Sequence, residues 1–474
     1  MVGSGPNGLA AAVLLARAGL DVTVLEASDT IGGGVRSSEL IVPGLIHDEC
    51  SAFHPMAEAS PFLAQLDLPA GALTWLQPEI DCAHPLDDGS AGVLYRSIDE
   101  TAKRLGPDGE RWRRLFGPMA ARFDELFADA SQPVLRVPRH PLTLARFGLG
   151  AMTPATVLGR AWRAEPARAL WAGIAAHACS RLDRPMTSAV GLMLIAAGHA
   201  RGWVVARGGS QTIADALAAD LRRHGGRIET GVRVTTAADL PSRDILMLDV
   251  SPSVGVEILG DRLPARVARS YRRFRHGPAA FKVDFAIDGG VPWTAAPARR
   301  AGTVHLGGSF EEVVRTERAV AAGAMPARPF VLVGQQYLAD PRRSAGDTHP
   351  LWTYAHVPHG FAGDATGAII AQIERFAPGF RERIIATAVR SATEMAAYNP
   401  NYVGGDIIGG ASSPTQLLFR PRFARDPYFT GVPGAYLCSA STPPGAGAHG
   451  MCGANAAARA LERLDPSLGN GELA

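Results

Sequence analysis

The sequence predicts an α/β fold: a Rossmann-like domain with a parallel sheet that the chain leaves and re-enters, so that a discontinuous α+β domain is threaded through it. Three observations predict this. A Gly3-x-Gly5-x-x-Gly8 turn opens a helix at the start, a helix-and-strand pair stands in the middle, and a strand, glycine-rich turn and helix close the chain. At 474 residues the chain exceeds what one hydrophobic core ordinarily supports, so two domains are expected.

Within residues 1–34 the spacing suits the holding of a dinucleotide. Gly3 makes the tight turn, Gly5 lets backbone N–H groups approach a pyrophosphate, and Gly8 lets the following helix pack closely on the sheet. That helix, from about Asn7 to Ala18, directs its positive N-terminal end at the phosphates, with Pro6 and Asn7 expected beside the cofactor. Gly19 stops it, and Val22 and Val24 put a second buried strand beside the first. Glu26 ends this strand, where a carboxylate can accept both hydroxyls of an adenosine ribose. Such an acid favours FAD or NAD over NADP. The Gly32-Gly33-Gly34 run then points to FAD, because it resembles the second glycine cluster that many flavoproteins place against the cofactor, with Arg36 as a phosphate or flavin partner. A lone glycine motif would be weak in a chain with 53 glycines; the joint spacing carries the reading. Only Met1 and Val2 precede Gly3, where a strand of about five residues is needed. Loss of that central strand would leave two neighbours unpaired, and the natural start is expected upstream.

Composition excludes several classes. A hydrophobic content of 47% with 19% charged residues is that of an ordinary globular protein. Lys103 and Lys282 are the lysines and arginine supplies the other basic residues, which with the Ala and Gly content is the bias of a GC-rich bacterial coding sequence. A formal charge of +2 without a basic stripe gives no nucleic-acid partner. Cys50, Cys82, Cys179, Cys438 and Cys452 contain no C-x-x-C, so neither a metal site nor a dithiol pair is expected, and a reducing, cytoplasmic setting is. No signal peptide is expected from the sequence, which opens inside the glycine motif. Met186 to Trp203 is the most apolar stretch, but its uninterrupted core is short and predicts a buried helix rather than a spanning one.

Beyond Arg36, alternation in Glu39 to Val42 predicts a strand, Pro43-Gly44 a turn, and Asp48 and Phe53-His54-Pro55 follow. This order of dinucleotide motif, glycine cluster, Arg-Ser, strand, Pro-Gly, Asp and Phe-His-Pro resembles the phytoene desaturase and carotenoid isomerase flavoproteins, within the amine oxidase type of FAD fold. It is most similar to the branch of pyridine nucleotide-disulphide oxidoreductase domain 2 proteins, although the chain has no cysteine pair for a disulphide chemistry. From Pro61 to Ala200 helical patterning predicts a cap, with helices over Asp99–Leu105 and Glu110–Phe127. His177 and His199 lie there in apolar company. Each is a catalytic candidate set against the ordinary alternative of a hydrogen-bonded core histidine.

Gly208-Gly209-Ser210 opens a helix to about His224, followed by strands over Ile228–Val234 and Asp244–Val250. In the resembling flavoproteins the first of these strands contacts the adenine, which makes Val232 and Val234 candidates. Strands over Phe281–Ile287 and Phe330–Gly334 and helices over Ala365–Phe376 and Phe380–Ala396 come next. Lys282 is a candidate for the lysine that some amine oxidases hold near flavin N5, against the commoner packed stem with a solvated ammonium. The polar loop Tyr398–Tyr402 is also typical of the family. The run Gly434–Asn455 resembles the C-terminal flavin signature of carotenoid desaturases, and the resemblance brings Ser441, Gly445, Gly447, His449 and Gly450 to the cofactor. The glutamate that amine oxidases carry near Ser439-Ala440 is absent.

Segments 1–60, 204–262 and 426–474 are therefore expected to form the FAD domain, and 61–203 and 263–425 the substrate and cap domain. With a single dinucleotide fingerprint, two electrons would pass from an organic substrate to FAD and on to oxygen, a quinone or another acceptor. The resemblance implies desaturation or isomerisation of an apolar, isoprenoid or carotenoid-like molecule, and allows peripheral contact with a membrane. Two alternatives stay open: a flavin amine oxidase, and a non-redox binding protein that resembles the GDP-dissociation inhibitors.

Overall fold

The computed structural model describes residues 1–465, so residues 466–474 of the third expected FAD-domain segment lie outside the described residues. Helix α1 (Pro6–Arg17) and strand β1 (Thr23–Leu25) open the chain. It then leaves through β2 (Ile80–Pro85), β3 (Ala91–Leu94) and the helices α2 (Gly109–Ala121), α3 (Phe123–Ala130), α4 (Pro141–Ala151), α5 (Ala155–Gly159), α6 (Glu165–Ala175) and α7 (Thr187–Arg201). It returns with α8 (Gln211–Arg223), β4 (Arg227–Glu229) and β5 (Leu246–Leu248). A second excursion holds β6 (Ala279–Asp288), β7 (Ala301–Leu306), β8 (Val331–Gly334), β9 (Thr348–Val357) and β10 (Ile384–Arg390), and the chain closes with β11 (Ala435–Leu437) and α9 (Met451–Leu464).

The first layer is a parallel sheet in the order β4, β1, Val2, β5, β11. Val2 occupies the central slot: Leu25 N–H donates to Met1 O at 2.9 Å, Val2 N–H to Met247 O at 2.9 Å, and Asp249 N–H to Val2 O at 2.8 Å. The two neighbours expected to be left unpaired are thus joined by Met1 and Val2. Helices α8 and α9 flank α1. The approach of α9 is close enough that a Cβ on Gly453 would sit 1.7 Å from Asn7 O, so glycine alone fits there.

The second layer is a seven-stranded sheet in the order β10, β6, β9, β8, β7, β2, β3, antiparallel except where β2 pairs with β7. Register sets one face: Lys282 lies opposite Tyr354, Asp284 opposite Trp352, Tyr354 opposite Leu332, Leu332 opposite His305, and Thr303 opposite Cys82. Because paired residues point the same way, this row faces the helices α2 to α7. The opposite face carries Phe281, Val283 and Phe285 into a separate apolar core under the helix Thr366–Phe376.

Several expectations are corrected. Glu39 to Val42 is not a strand but the tip of a hairpin whose ladder is Ser37–Ser38 with His47–Asp48. Phe380 to Ala396 is not one helix. Ile384–Arg390 is an edge strand on β6 with alternating exposure, because its β-branched residues gain more from pairing than from a helix. The helix expected over Glu110–Phe127 breaks at Arg122: Trp112 and Phe116 enter the core beneath α7, while Phe123 and Phe127 stack on each other against Ala196 and Ala197. Strands β2 and β3 lie inside the region read as a purely helical cap.

The fit of α9 on α1 has a measurable consequence. Gly453→Ala is expected to cost ~1–3 kcal/mol in urea unfolding through overpacking. Gly148→Ala, in the interior of α4 with open space where a Cβ would lie, is expected to be neutral or to stabilise by about 0.5–1 kcal/mol.

Candidate functional site

A single groove of about 390 Å³ runs between the two layers and draws its wall from the beginning, middle and end of the chain. Gly3, Gly5, Pro6, Asn7, Glu26, Gly33, Gly34, Arg36, Val232, Val234, Ser441 and Gly447 all line it.

At one end the glycine turn is pressed against Asp249, the residue that follows β5. A Cβ on Gly3 would lie 2.8 Å from Asp249 O, one on Gly5 2.7 Å from its Oδ2, and one on Gly8 2.9 Å from the same atom and 2.4 Å from Gly3 O. Gly8 N–H donates to Asp249 Oδ2 at 2.9 Å. Burial pushes the Asp249 carboxyl up to about 7, helped by the neighbouring Glu26 charge and opposed by the Gly8 and Gly5 N–H groups. Glu26 follows β1, 7% exposed, and accepts Ser4 N–H at 2.9 Å, Ser4 Oγ–H at 2.6 Å and Ser28 N–H at 2.9 Å. Arg36 joins Glu26 at 3.4 Å to the Thr30 carbonyl at 2.9 Å, with its guanidinium 5.3 Å from the Tyr398 ring centre. Tyr398 in turn donates to Gly33 O at 3.1 Å, and Tyr402 closes over Gly34. The loop Tyr398–Tyr402 thereby forms the far wall.

The other end is floored by the seven-stranded sheet. Phe53, Trp203, Leu332, Trp352, Tyr354 and Ile407 line it, and its titratable side chains are Cys50, His177 and Tyr354. The groove's carboxylates, Glu26 and Asp249, both belong to the glycine-turn end. His177 Nε2 meets His305 Nε2 at 3.1 Å, and burial, with the His356 charge, drives its pKa down to about 3, so the ring is neutral at pH 7. Thr303 Oγ1, also in this wall, is buried without a hydrogen-bond partner among the described residues.

Other candidates stand behind the wall. Gly8 supports the turn from inside. Gly445 packs on the buried Arg420 guanidinium, and Gly450 adopts φ +71° at the start of α9. His449 accepts Met451 N–H at 3.0 Å and its carbonyl accepts Ser60 Oγ–H at 2.6 Å, so it shapes the turn rather than facing the groove. His199 is a core residue of α7: it accepts from Trp112 Nε1 at 2.8 Å and its Nδ1 meets Arg96 O at 3.1 Å, leaving neither nitrogen free. Lys282 does not reach the groove. It is 2% exposed and ion-paired with Asp284, and its ammonium lies 5.7 Å from the ring centre of Trp352, which does line the cavity. Sequence reasoning missed Asp249, Trp203, Trp352 and Tyr354. Each sits in or beside an ordinary apolar run, with no local signal to separate a cavity-facing residue from a core one.

A family model described as flavin containing amine oxidoreductase matches residues 7–248. Pyridine nucleotide-disulfide oxidoreductase domain-containing protein 2 of Rattus norvegicus is 24% identical over 96% of this chain and 92% of its own. A component of the limonene dehydrogenase of Castellaniella defragrans is 27% identical over 28% of this chain and 24% of its own. Putrescine oxidase bound to putrescine superposes with a TM-score of 0.60 at 15% identity, covering 97% of each chain. The cofactor these findings indicate is FAD, and the groove fits it. Asn7 Oδ1 is a buried wall atom with no partner among the described residues, the first turn of α1 carries no acidic residue, and a Cβ on Gly33 would stand 3.0 Å from Gly5 Cα, leaving a cradle of bare backbone. With the family model matching more than half of its length, this chain belongs to the flavin-containing amine oxidoreductase family, as an FAD-dependent oxidoreductase.

Proposed function

We propose that the protein acts on an uncharged, apolar substrate of isoprenoid kind, desaturating it with net loss of a hydride and a proton, the two electrons passing on to an external acceptor such as oxygen or a quinone, or isomerising it with the hydride returned. The observation that carries this reading is the floor of the groove, aromatic and aliphatic, with no carboxylate among the described residues that line it and with Lys282 sequestered behind Trp352. The stretch similar to the limonene dehydrogenase component supports it.

FAD, when bound, supplies a two-electron acceptor. The chain's own residues would do the rest. Trp203, Leu332, Trp352 and Ile407 would exclude water and press the reacting carbon into place, which is where most of the rate of such a step arises. His177 Nδ1 makes no hydrogen bond to a described residue, so the ring would be free to orient the substrate or a water; a pKa of about 3 keeps it neutral and makes it a weak base at pH 7. Thr303 Oγ1 would take one polar group on an otherwise apolar molecule.

A second reading, amine oxidation, is favoured by one feature. Trp352 and Tyr354 meet edge to face at 5.1 Å and 80° on the cavity floor, an arrangement that can hold an amino group. Anaerobic mixing decides between the two. Loss of flavin absorbance with isoprenoid alkenes and not with amines supports the first reading; reduction by amines, with peroxide released in air, would overturn it.

Three outcomes are expected. Glu26→Ala should weaken FAD retention, read as flavin content after gel filtration, because it removes an acceptor that also orders Ser4 and Ser28. His177→Ala should slow flavin reduction by no more than about 10-fold with flavin content unchanged, as expected of an orienting ring rather than a general base. Asp249 sets a pH dependence. Its carboxyl is protonated below about 7 in the folded chain and below 3.8 in the unfolded one, so the stability it contributes is fully present below 3.8 and lost as pH rises through 7. A diphosphate beside it favours the same protonated form. FAD affinity of the apoprotein should therefore fall by about tenfold per pH unit above 7, and Asp249→Asn should flatten that slope. An equal slope in the variant would refute this role.

A further inference from the structure

We propose that the surface formed by residues 134–157 is a docking face for an anionic lipid bilayer. Among the described residues twelve large hydrophobic side chains are exposed, and seven of them fall in this stretch of the cap. Helix α4 is apolar on both sides. Phe147 and Ala151 enter the core, where Gly150 meets Leu192 of α7, while Leu142 at 74% and Leu149 at 79% point to solvent two turns apart. Ala145, Arg146 and Met152 continue the same outward stripe, at the spacing of one helical face. Val137, 88% exposed, extends the patch before the helix and Val157 extends it beyond, on α5. A helix that is apolar on both faces is stable at a protein surface only if something covers the outer one.

Charge says what covers it. Between Asp129 and Glu165 the chain has no acidic residue and five arginines, against a formal charge of only +2 for the whole sequence. Arg136 is paired with Asp129. Arg139, Arg146, Arg160 and Arg163 are exposed and make no ion pair with a described residue. A second copy of the chain would bring the same arginines against them, so the patch opposes self-association while it complements a surface of negative headgroups. Exposed apolar side chains in one stretch of chain with unpaired arginines, and with Glu125 engaged by Thr143 Oγ1, are the features of a helix that lies in an interface. No described helix is long and apolar enough to cross a membrane. Because α7 separates this face from the end of the cavity at Trp203, attachment would hold the cap against the bilayer.

Docking of this kind is independent of the substrate reading, since it is tested without turnover. The flavin-loaded protein is sedimented with vesicles of phosphatidylcholine alone or with a quarter phosphatidylglycerol. The expected result is binding at least about tenfold stronger to the anionic vesicles, weakened by salt. Leu142→Asp with Leu149→Asp should abolish it, with flavin content and melting temperature unchanged, and Arg139→Gln with Arg146→Gln should remove the lipid preference. Wild type that stays in the supernatant with both vesicles would overturn the proposal. So would a leucine variant that still pellets, or a dimer in sedimentation velocity that the leucine variant dissolves.

Discussion

All three glycines of the opening motif pack on one residue from the other half of the parallel sheet. Asp249 presents its carbonyl to Gly3 and its carboxylate to Gly5 and Gly8, at distances that admit no side chain on any of the three. This contact fixes the entry of α1 relative to the end of β5, and with it the mouth of the groove. The Gly8 N–H bond to Asp249 also occupies one of the helix's first free donors, so the anion site is built with a carboxyl already inside it. A carboxyl near neutrality in that place makes the site responsive to pH in a way that a plain glycine turn is not.

A second buried contact holds the two layers in register. Asp48, fully buried, accepts Arg343 Nη1 at 2.5 Å, Ser210 N–H at 2.8 Å and Ser37 Oγ–H at 2.7 Å. Burial alone would raise its pKa, but the Arg343 guanidinium and these donors hold it below the usual carboxylate range. Arg343 also donates to Ala206 O at 2.7 Å. The hairpin after the glycine cluster, the start of α8 and the segment before β9 are thereby tied at one point. An ion pair of this kind adds little stability over an apolar replacement but penalises any arrangement that separates its members. A cavity shared between two layers needs such a constraint.

What the residues disclose in advance follows from how local each signal is. The fold of the glycine-turn end was legible because a tight turn, a helix start and an acid after a strand lie within about thirty residues and each demands a particular residue type. The cavity floor was not. Trp352 and Tyr354 alternate with Leu351 and Thr353 along β9, and only the register with β6 and β8 decides which face meets the cavity. Lys282 looked available from its apolar strand; its partner Asp284, two residues along the same face, withdraws it. His199 and His177 read alike in sequence, yet one is saturated by Trp112 and Arg96 O while the other keeps a nitrogen without a protein partner. Ile384–Arg390 carried enough helix-compatible spacing to mislead, because an edge strand is specified by its neighbour.

Glycine-bearing pieces of the beginning, middle and end of the chain converge on one groove, and every other feature of the site depends on that convergence. The direct measurement is the amount and identity of flavin released when the purified protein is denatured. One FAD per chain, or its uptake to that ratio from added FAD, is the result predicted. Protein that carries no flavin and takes up none, while folded by circular dichroism, would contradict it.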